Sequence, residues 1–197
     1  MSEVRYFIGV LVVVAIPPAI VWWLVVHPFV SFWRRVGTLG TLTVVFLLLF
    51  GSMAGLYVVR APLMGNDLGT NPLMIGLAVV LLPVAAWVKV KRAKHLTTRI
   101  LVGVPELQAD GKGGKLLTEG PYAVMRHPRY AEIVLGAGAW VIFANWSGPY
   151  WVTAGAILVL HGVVLLEERE LAERFGEEYE AYRGRVPRYI PRLGGRP

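Results

Sequence analysis

The stretch RHPRYAEIVLGAGAWVIFANWSGPYWVTAGAILVLHGVVLLEE, residues 126–168, contains two apolar runs separated by only a few turn-forming residues, NWSG. A membrane-spanning helix needs roughly 20 mostly apolar residues, and the two runs, about 128–144 and 149–166, approach that length. Because the connection is so short, the second helix must run back beside the first. The stretch therefore predicts an antiparallel hairpin of membrane helices whose outer ends, RHPRY and EE, lie side by side.

The rest of the chain is also strongly apolar. Of its 197 residues, 55% are hydrophobic and 17% are charged, and the mean hydropathy is +0.55. Three further apolar runs precede the hairpin, at about 6–26, 36–59 and 73–88. We therefore expect an all-α integral membrane protein with five transmembrane helices.

The basic residues predict how these helices are oriented. With five spans, 18 of the 20 Lys and Arg residues fall on one side, and only Arg5 and Arg60 fall on the other. Loops rich in Lys and Arg stay in the cytoplasm, so the N-terminus is expected outside and the C-terminus inside. The polar stretch 89–126 and a C-terminal helix starting near residue 167 then share the cytoplasmic side. The net charge of +7 is interpreted as a face toward anionic lipid headgroups rather than nucleic acid.

The two ends of the hairpin form the candidate site. Pro128 suits the first turn of a helix, and a helix N-terminus favours an anion. Glu167 and Glu168 are expected opposite it, where they would hold an ammonium group. Three side chains of RHPRY are expected to face them: Arg126, His127 and Tyr130. A ligand that carries both charges, an amino-acid-like zwitterion, would fit, although basic residues at a helix end are also ordinary topology signals.

Other kinds of site find little support. The chain has no Cys, which excludes disulfides, thiolate nucleophiles and Cys-based metal sites. Its four His residues are scattered, so no metal site is predicted, and there is no phosphate-binding loop. His161 lies seven residues before Glu168 on the same helical face. An ionisable residue inside a span is a functional candidate by default, but a neutral His also hydrogen-bonds to neighbouring helices.

The hairpin ends resemble the motif of the isoprenylcysteine carboxyl methyltransferase and phospholipid methyltransferase family. That motif is Arg-His-Pro-x-Tyr at the start of one span and a glutamate pair at the end of the next, here RHPRY (126–130) and EE (167–168). The lead-in GGKLLTEGPYAVMRHP resembles the family's Leu-x-x-x-Gly-x-Tyr, and the tail LAERFGEEYEAYRGRVPRYIP resembles its Phe-Gly-x-x-Tyr-x-x-Tyr ending. The resemblance covers about 110–192, roughly 40% of the chain.

The resemblance implies methyl transfer from S-adenosylmethionine to a lipophilic or membrane-embedded acceptor. It implies these cofactor-binding residues: Leu116, Gly120, Tyr122, His127, Pro128, Tyr130, Glu167, Glu168 and Tyr182. Arg126 or Arg183 would orient a carboxylate acceptor, whereas Glu168 or His161 would serve as the base for an amine. Many relatives have Gly two residues after the Tyr, where this chain has Glu132.

We expect a single membrane domain, 1–197, in which 1–90 holds the first three spans and 91–197 binds the cofactor. Its expected partners are membrane lipids and a lipophilic small-molecule or prenylated substrate, not nucleic acid. One alternative is a phospholipid or amine N-methyltransferase, and another is a non-catalytic membrane subunit with a basic lipid- or partner-binding face. A third is a related membrane reductase, but the chain looks too short to hold its nicotinamide cofactor. The identity of the acceptor and the oligomeric state stay open.

Overall fold

A computed structural model describes residues 1–26, 29–94 and 116–191 of the chain. Within these ranges the secondary structure is helical and contains no strand. The elements are α1 (Ser2–Val26), α2 (Val30–Val36), α3 (Thr38–Val58), α4 (Arg60–Met64), α5 (Pro72–Ala93), a 3₁₀ turn (Gly120–Ala123), α6 (Pro128–Ala144), α7 (Ser147–Phe175) and α8 (Glu177–Arg185). Most of the predicted polar stretch between the third and fourth spans, 95–115, lies outside the described residues.

Four of these helices are long and apolar enough to cross a membrane: Ser2–Val21 within α1, together with α3, α5 and α7. This confirms the prediction of an all-helical, multi-pass membrane protein. The fourth predicted span, α6, has 17 residues. At about 1.5 Å per residue it is roughly 25 Å long, somewhat short of the roughly 30 Å hydrocarbon core.

The ends of the helices follow from local sequence signals. Asn71 caps α5, because its side-chain oxygen accepts hydrogen bonds from the backbone of Leu73 (3.0 Å) and Met74 (3.3 Å). Pro128 opens α6, and Asn145 closes it in the left-handed conformation (φ 52°). Only Asn145 and Trp146 separate α6 from α7. The tight hairpin predicted from NWSG is therefore present.

The packing centres on α1, which contacts α3, α6 and α7, while α6 packs most extensively against α5. A Cβ placed on Gly136 would lie 3.9 Å from the Cβ of Ala85, an ordinary van der Waals distance, so Gly136 faces α5. A Cβ placed on Gly148 would come within 1.8 Å of the Leu63 carbonyl oxygen. Only glycine therefore allows α4 to lie this close to the start of α7.

One end of the helical bundle is tied together by Arg5. Its side chain is buried, with 2% exposed, and pairs with Asp67. It also donates to Thr70 Oγ1 (3.1 Å) and to the carbonyls of Ala144 (3.1 Å) and Asn145 (3.2 Å). From the sequence, Arg5 was interpreted only as a signal of membrane topology. In the structure its side chain joins α1, the loop before α5 and the end of α6.

The C-terminal region differs from the prediction. A separate helix was expected from residue 167, but α7 runs on without a break to Phe175. The helix ends at Gly176, whose φ of 52° favours glycine, and the nine-residue α8 follows. The end of an apolar run does not end a helix, because the backbone continues until a residue such as glycine breaks it.

Candidate functional site

The site is built around Glu168, a carboxylate near the end of α7 whose side chain is 6% exposed. Arg126 Nη2 donates to its Oε1 (2.8 Å), and Arg188 Nη2 donates to its Oε2 (2.7 Å). His127 Nε2 lies 3.0 Å from Oε1. A buried charge is tolerated when it is paired and hydrogen-bonded. The structure thus brings together the predicted residues Arg126, His127 and Glu168 and adds Arg188, which the sequence analysis missed.

A short tail segment, residues 186–189, holds this arrangement from outside. The backbone N–H of Arg126 donates to the Pro187 carbonyl (2.8 Å), and that of His127 donates to the Arg188 carbonyl (3.1 Å). Arg126 Nη1 also donates to the carbonyl of Val186 (2.6 Å). Because the first N–H groups of a helix have no partner within it, the tail segment supplies acceptors at the entry to α6.

His127 is a neutral side chain between two carboxylates. Burial lowers its pKa to about 4, and the hydrogen bond with Glu168 offsets only part of this effect. The ring hydrogen is assigned to Nε2, because an ionised Glu168 can only accept. Nδ1 is then an acceptor, and it lies 3.8 Å from Glu167 Oε2. Two acceptor atoms therefore face each other on the side of His127 away from Glu168.

The two consecutive glutamates have different environments. Glu168 is enclosed by arginines, and both of its oxygens accept charged hydrogen bonds. The side chain of Glu167 is 38% exposed. Of the two glutamates, Glu167 is therefore the one whose side chain a molecule from outside can reach.

Tyr130 lies beside His127 in the contact between α6 and α7. Its ring meets the His127 ring edge-on, with centroids 5.7 Å apart, and packs against Leu160, Val163 and Val164. Pro128, the first residue of α6, is fully buried. Both predicted residues thus shape the surroundings of the His127 ring.

An aromatic cluster lies against the tail. Leu116 packs with Tyr179, Tyr182 and Val186, and the Tyr182 hydroxyl donates to the Tyr122 carbonyl (2.7 Å). That bond joins α8 to the 3₁₀ turn, which begins at Gly120 with φ 61°. Four predicted residues, Leu116, Gly120, Tyr122 and Tyr182, therefore belong to one region.

Tyr179 is a member of this aromatic cluster that the site prediction omitted. It is fully buried, and its hydroxyl has no hydrogen-bond partner in the part of the chain that the structure describes. It is the first tyrosine of the Phe-Gly-x-x-Tyr-x-x-Tyr pattern, so a signal for it was present in the sequence.

Two other predicted side chains lie apart from Glu168. Arg183 was expected to close the site, but its guanidinium is half exposed and pairs with Glu180 at 3.2 Å. Only its carbonyl oxygen meets Arg126 (2.9 Å), and Arg188 instead supplies the second guanidinium. His161 was expected to face a neighbouring helix or the site, and its Nδ1 lies 2.8 Å from the hydroxyl of Tyr189 in the tail segment.

The comparisons with known proteins agree in part with the motifs. No family model matches the chain, and no solved structure matches it. The chain is similar to Protein-S-isoprenylcysteine O-methyltransferase B of Arabidopsis thaliana, with 36% identity over 81 residues. That match covers 39% of this chain and spans 40% of the length of the relative. The similarity supports the resemblance to this methyltransferase family at a general level.

Proposed function

We propose that the protein transfers a methyl group from S-adenosylmethionine to a lipophilic acceptor in the membrane, as an isoprenylcysteine carboxyl methyltransferase-like enzyme. The observation that carries this proposal is the pair of acceptor atoms His127 Nδ1 and Glu167 Oε2, 3.8 Å apart. An ammonium group donates several hydrogen bonds and carries the opposite charge to Glu167. The amino group of a methionine-like zwitterion, lying to one side of this pair, could therefore donate to both atoms.

The residues around this pair also suit the rest of the cofactor. The buried Tyr179 hydroxyl, which has no partner among the described residues, lies in an aromatic cluster that suits a flat, partly polar adenosine. Leu116, Gly120, Tyr122 and Tyr182 would form its walls, while Pro128 and Tyr130 support His127. The cofactor, when bound, supplies a methyl group that is already electrophilic on its sulfonium.

We assign Arg126, Glu168 and Arg188 to positioning. Their charged atoms are bonded to one another, and through Glu168 they fix the ring of His127. Methyl transfer by displacement depends mainly on holding the two reactants in line and excluding water. A rigid, buried His127 serves that purpose without a metal or a covalent intermediate. In this assignment Arg183 does not touch the acceptor.

The finer topology belongs to the same proposal. We propose that α6 is the fifth span, with the N-terminus outside and the C-terminus in the cytoplasm, within one domain that covers 1–197. The site then lies at the cytoplasmic ends of α6 and α7, where a soluble cofactor enters from water. A lipophilic acceptor would enter from the bilayer between helices, which gives a reason for placing a methyltransferase in a membrane.

Methyl transfer can be measured with purified protein in detergent, methyl-labelled S-adenosylmethionine and an S-farnesyl cysteine analogue with a free carboxylate. The proposal predicts lipid-soluble label that alkali releases, because esters are cleaved by base. The methyl ester of the same analogue is the matched control and should accept no label. Alkali-stable label on an added lipid amine would favour the amine methyltransferase, and no transfer to any acceptor would contradict the proposal.

A further inference from the structure

A second charged cluster lies where α5 ends and α6 begins. Arg92, near the end of α5, is 5% exposed, and its Nε donates to Glu132 Oε2 at 2.8 Å. Its Nη1 is buried and has no hydrogen-bond partner among the residues that the structure describes. A buried charged donor without an acceptor is costly to the folded state, so such an atom points to a ligand that supplies the acceptor.

The charges around Arg92 converge on Tyr122. Burial is the main reason that the pKa of Tyr122 rises to about 12. Arg92 and Arg129 lower this pKa, whereas Glu167 and Glu132 raise it. All four charged groups therefore act on one half-buried phenol.

The arginines first expected to hold an acceptor carboxylate are engaged elsewhere. Arg126 is bonded to Glu168 and to backbone carbonyls, and Arg183 pairs with Glu180. Arg92, in contrast, uses Nε for Glu132, and its Nη1 has no partner among the described residues. It also lies at the end of α5, which exposes large apolar side chains such as Trp87. A lipophilic molecule that packs along the apolar side chains of α5 would bring its polar head group to the level of Arg92.

We propose that Arg92, held in place by Glu132, binds the carboxylate of the lipophilic methyl acceptor. This inference rests on the proposed function. A carboxylate fits better than a phosphate, because Glu132 and Glu167 are close by and would repel a doubly charged group. In this contact the Arg92 guanidinium would donate a charged hydrogen bond to the planar carboxylate of the acceptor.

The first test compares Arg92→Lys, which keeps the charge but loses the planar fork, with the wild type. The proposal predicts that KM for the farnesyl cysteine analogue rises about 10- to 100-fold, as expected for the loss of a charged hydrogen bond. The Kd for S-adenosylhomocysteine should stay unchanged. Lys91→Gln is the matched control: Lys91 is the exposed residue directly before Arg92 on the same helix, and neither constant should change. A weaker Kd with an unchanged KM would assign Arg92 to the carboxylate of the cofactor, and two unchanged constants would remove it from the site.

A binding measurement separates this inference from the proposed function. Wild-type protein should bind the farnesyl carboxylate more tightly than its primary amide, and Arg92→Lys should abolish that difference, whether or not methyl transfer occurs. An equal preference in both proteins would overturn the inference. If Arg92→Lys does not fold, Glu132→Asp replaces it, because the shorter side chain withdraws the partner of Nε. That variant should raise KM for the acceptor with little change in kcat, and an unchanged KM would again contradict the inference.

Discussion

At the scale of single residues, the site depends on a neutral histidine held by a buried carboxylate. Glu168 accepts hydrogen bonds from two arginines and from His127, so its charge is compensated without a second proton on the imidazole. Burial then keeps His127 uncharged and leaves Nδ1 as an acceptor. The chemistry proposed for Nδ1 and Glu167 requires this protonation state.

This protonation state predicts how stability depends on pH. Histidine has a pKa of 6.5 in the unfolded chain, whereas burial lowers that of His127 to about 4. Between these values the unfolded state binds more protons, so the free energy of unfolding should fall as the pH is lowered from about 6.5 to about 4. Thermal unfolding in detergent should show a smaller loss over this range for His127→Gln, which cannot titrate. Equal losses in both proteins would contradict a buried neutral His127.

The sequence located some of the site residues and misplaced others for identifiable reasons. Arg126, His127 and Glu168 could be predicted because a two-residue turn forces the hairpin ends together. Arg188 could not, since it lies in irregular chain with no periodic pattern. The guanidinium of Arg183 pairs instead with Glu180, because of the face of α8 on which it lies. Tyr179 and Tyr182, three residues apart, form the buried face of α8, and Arg183 is about 100° further round the helix.

At the scale of elements, hydropathy predicted the helices well and their ends less well. The apolar runs matched α3, α5 and α6 within a few residues. The run of α7 ended at Leu166 by hydropathy, yet the helix extends to Phe175, which carries Glu167 and Glu168 on a rigid element. The helix ends at Gly176. A glycine that interrupts a charged helical pattern is the sequence signal from which this helix end could have been predicted.

The 17-residue helix α6 is the element whose crossing of the membrane can be tested most directly. If α6 crosses the membrane, reporter fusions after Ala61 and Gly148 should be external, and fusions after Lys115 and Pro197 should be cytoplasmic. The physical reason is the placement of 18 of the 20 basic residues on one side. A cytoplasmic reporter after Gly148 would contradict the five-span topology.

At the scale of the whole molecule, the two ends have different tasks. At one end Arg5 joins α1, the loop before α5 and the end of α6. Its buried contacts there are internal and are consistent with a structural role. At the other end, polar groups from the start of α6, from α7 and from the tail segment converge around His127. This division follows from antiparallel helices, because a short turn at one end fixes which helix ends are neighbours at the other.

The central claim is that His127 and Glu167 hold the amino group of S-adenosylmethionine at the junction of RHPRY with the glutamate pair. The most direct test is titration of the purified protein in detergent with S-adenosylhomocysteine. We predict saturable binding by the wild type and a Kd about tenfold or more weaker for Glu167→Gln, because the charged hydrogen bond is lost. Glu173→Gln, an exposed position on the same helix, should bind as the wild type does. The absence of saturable binding by the wild type, or an unchanged Kd in folded Glu167→Gln, would contradict the claim.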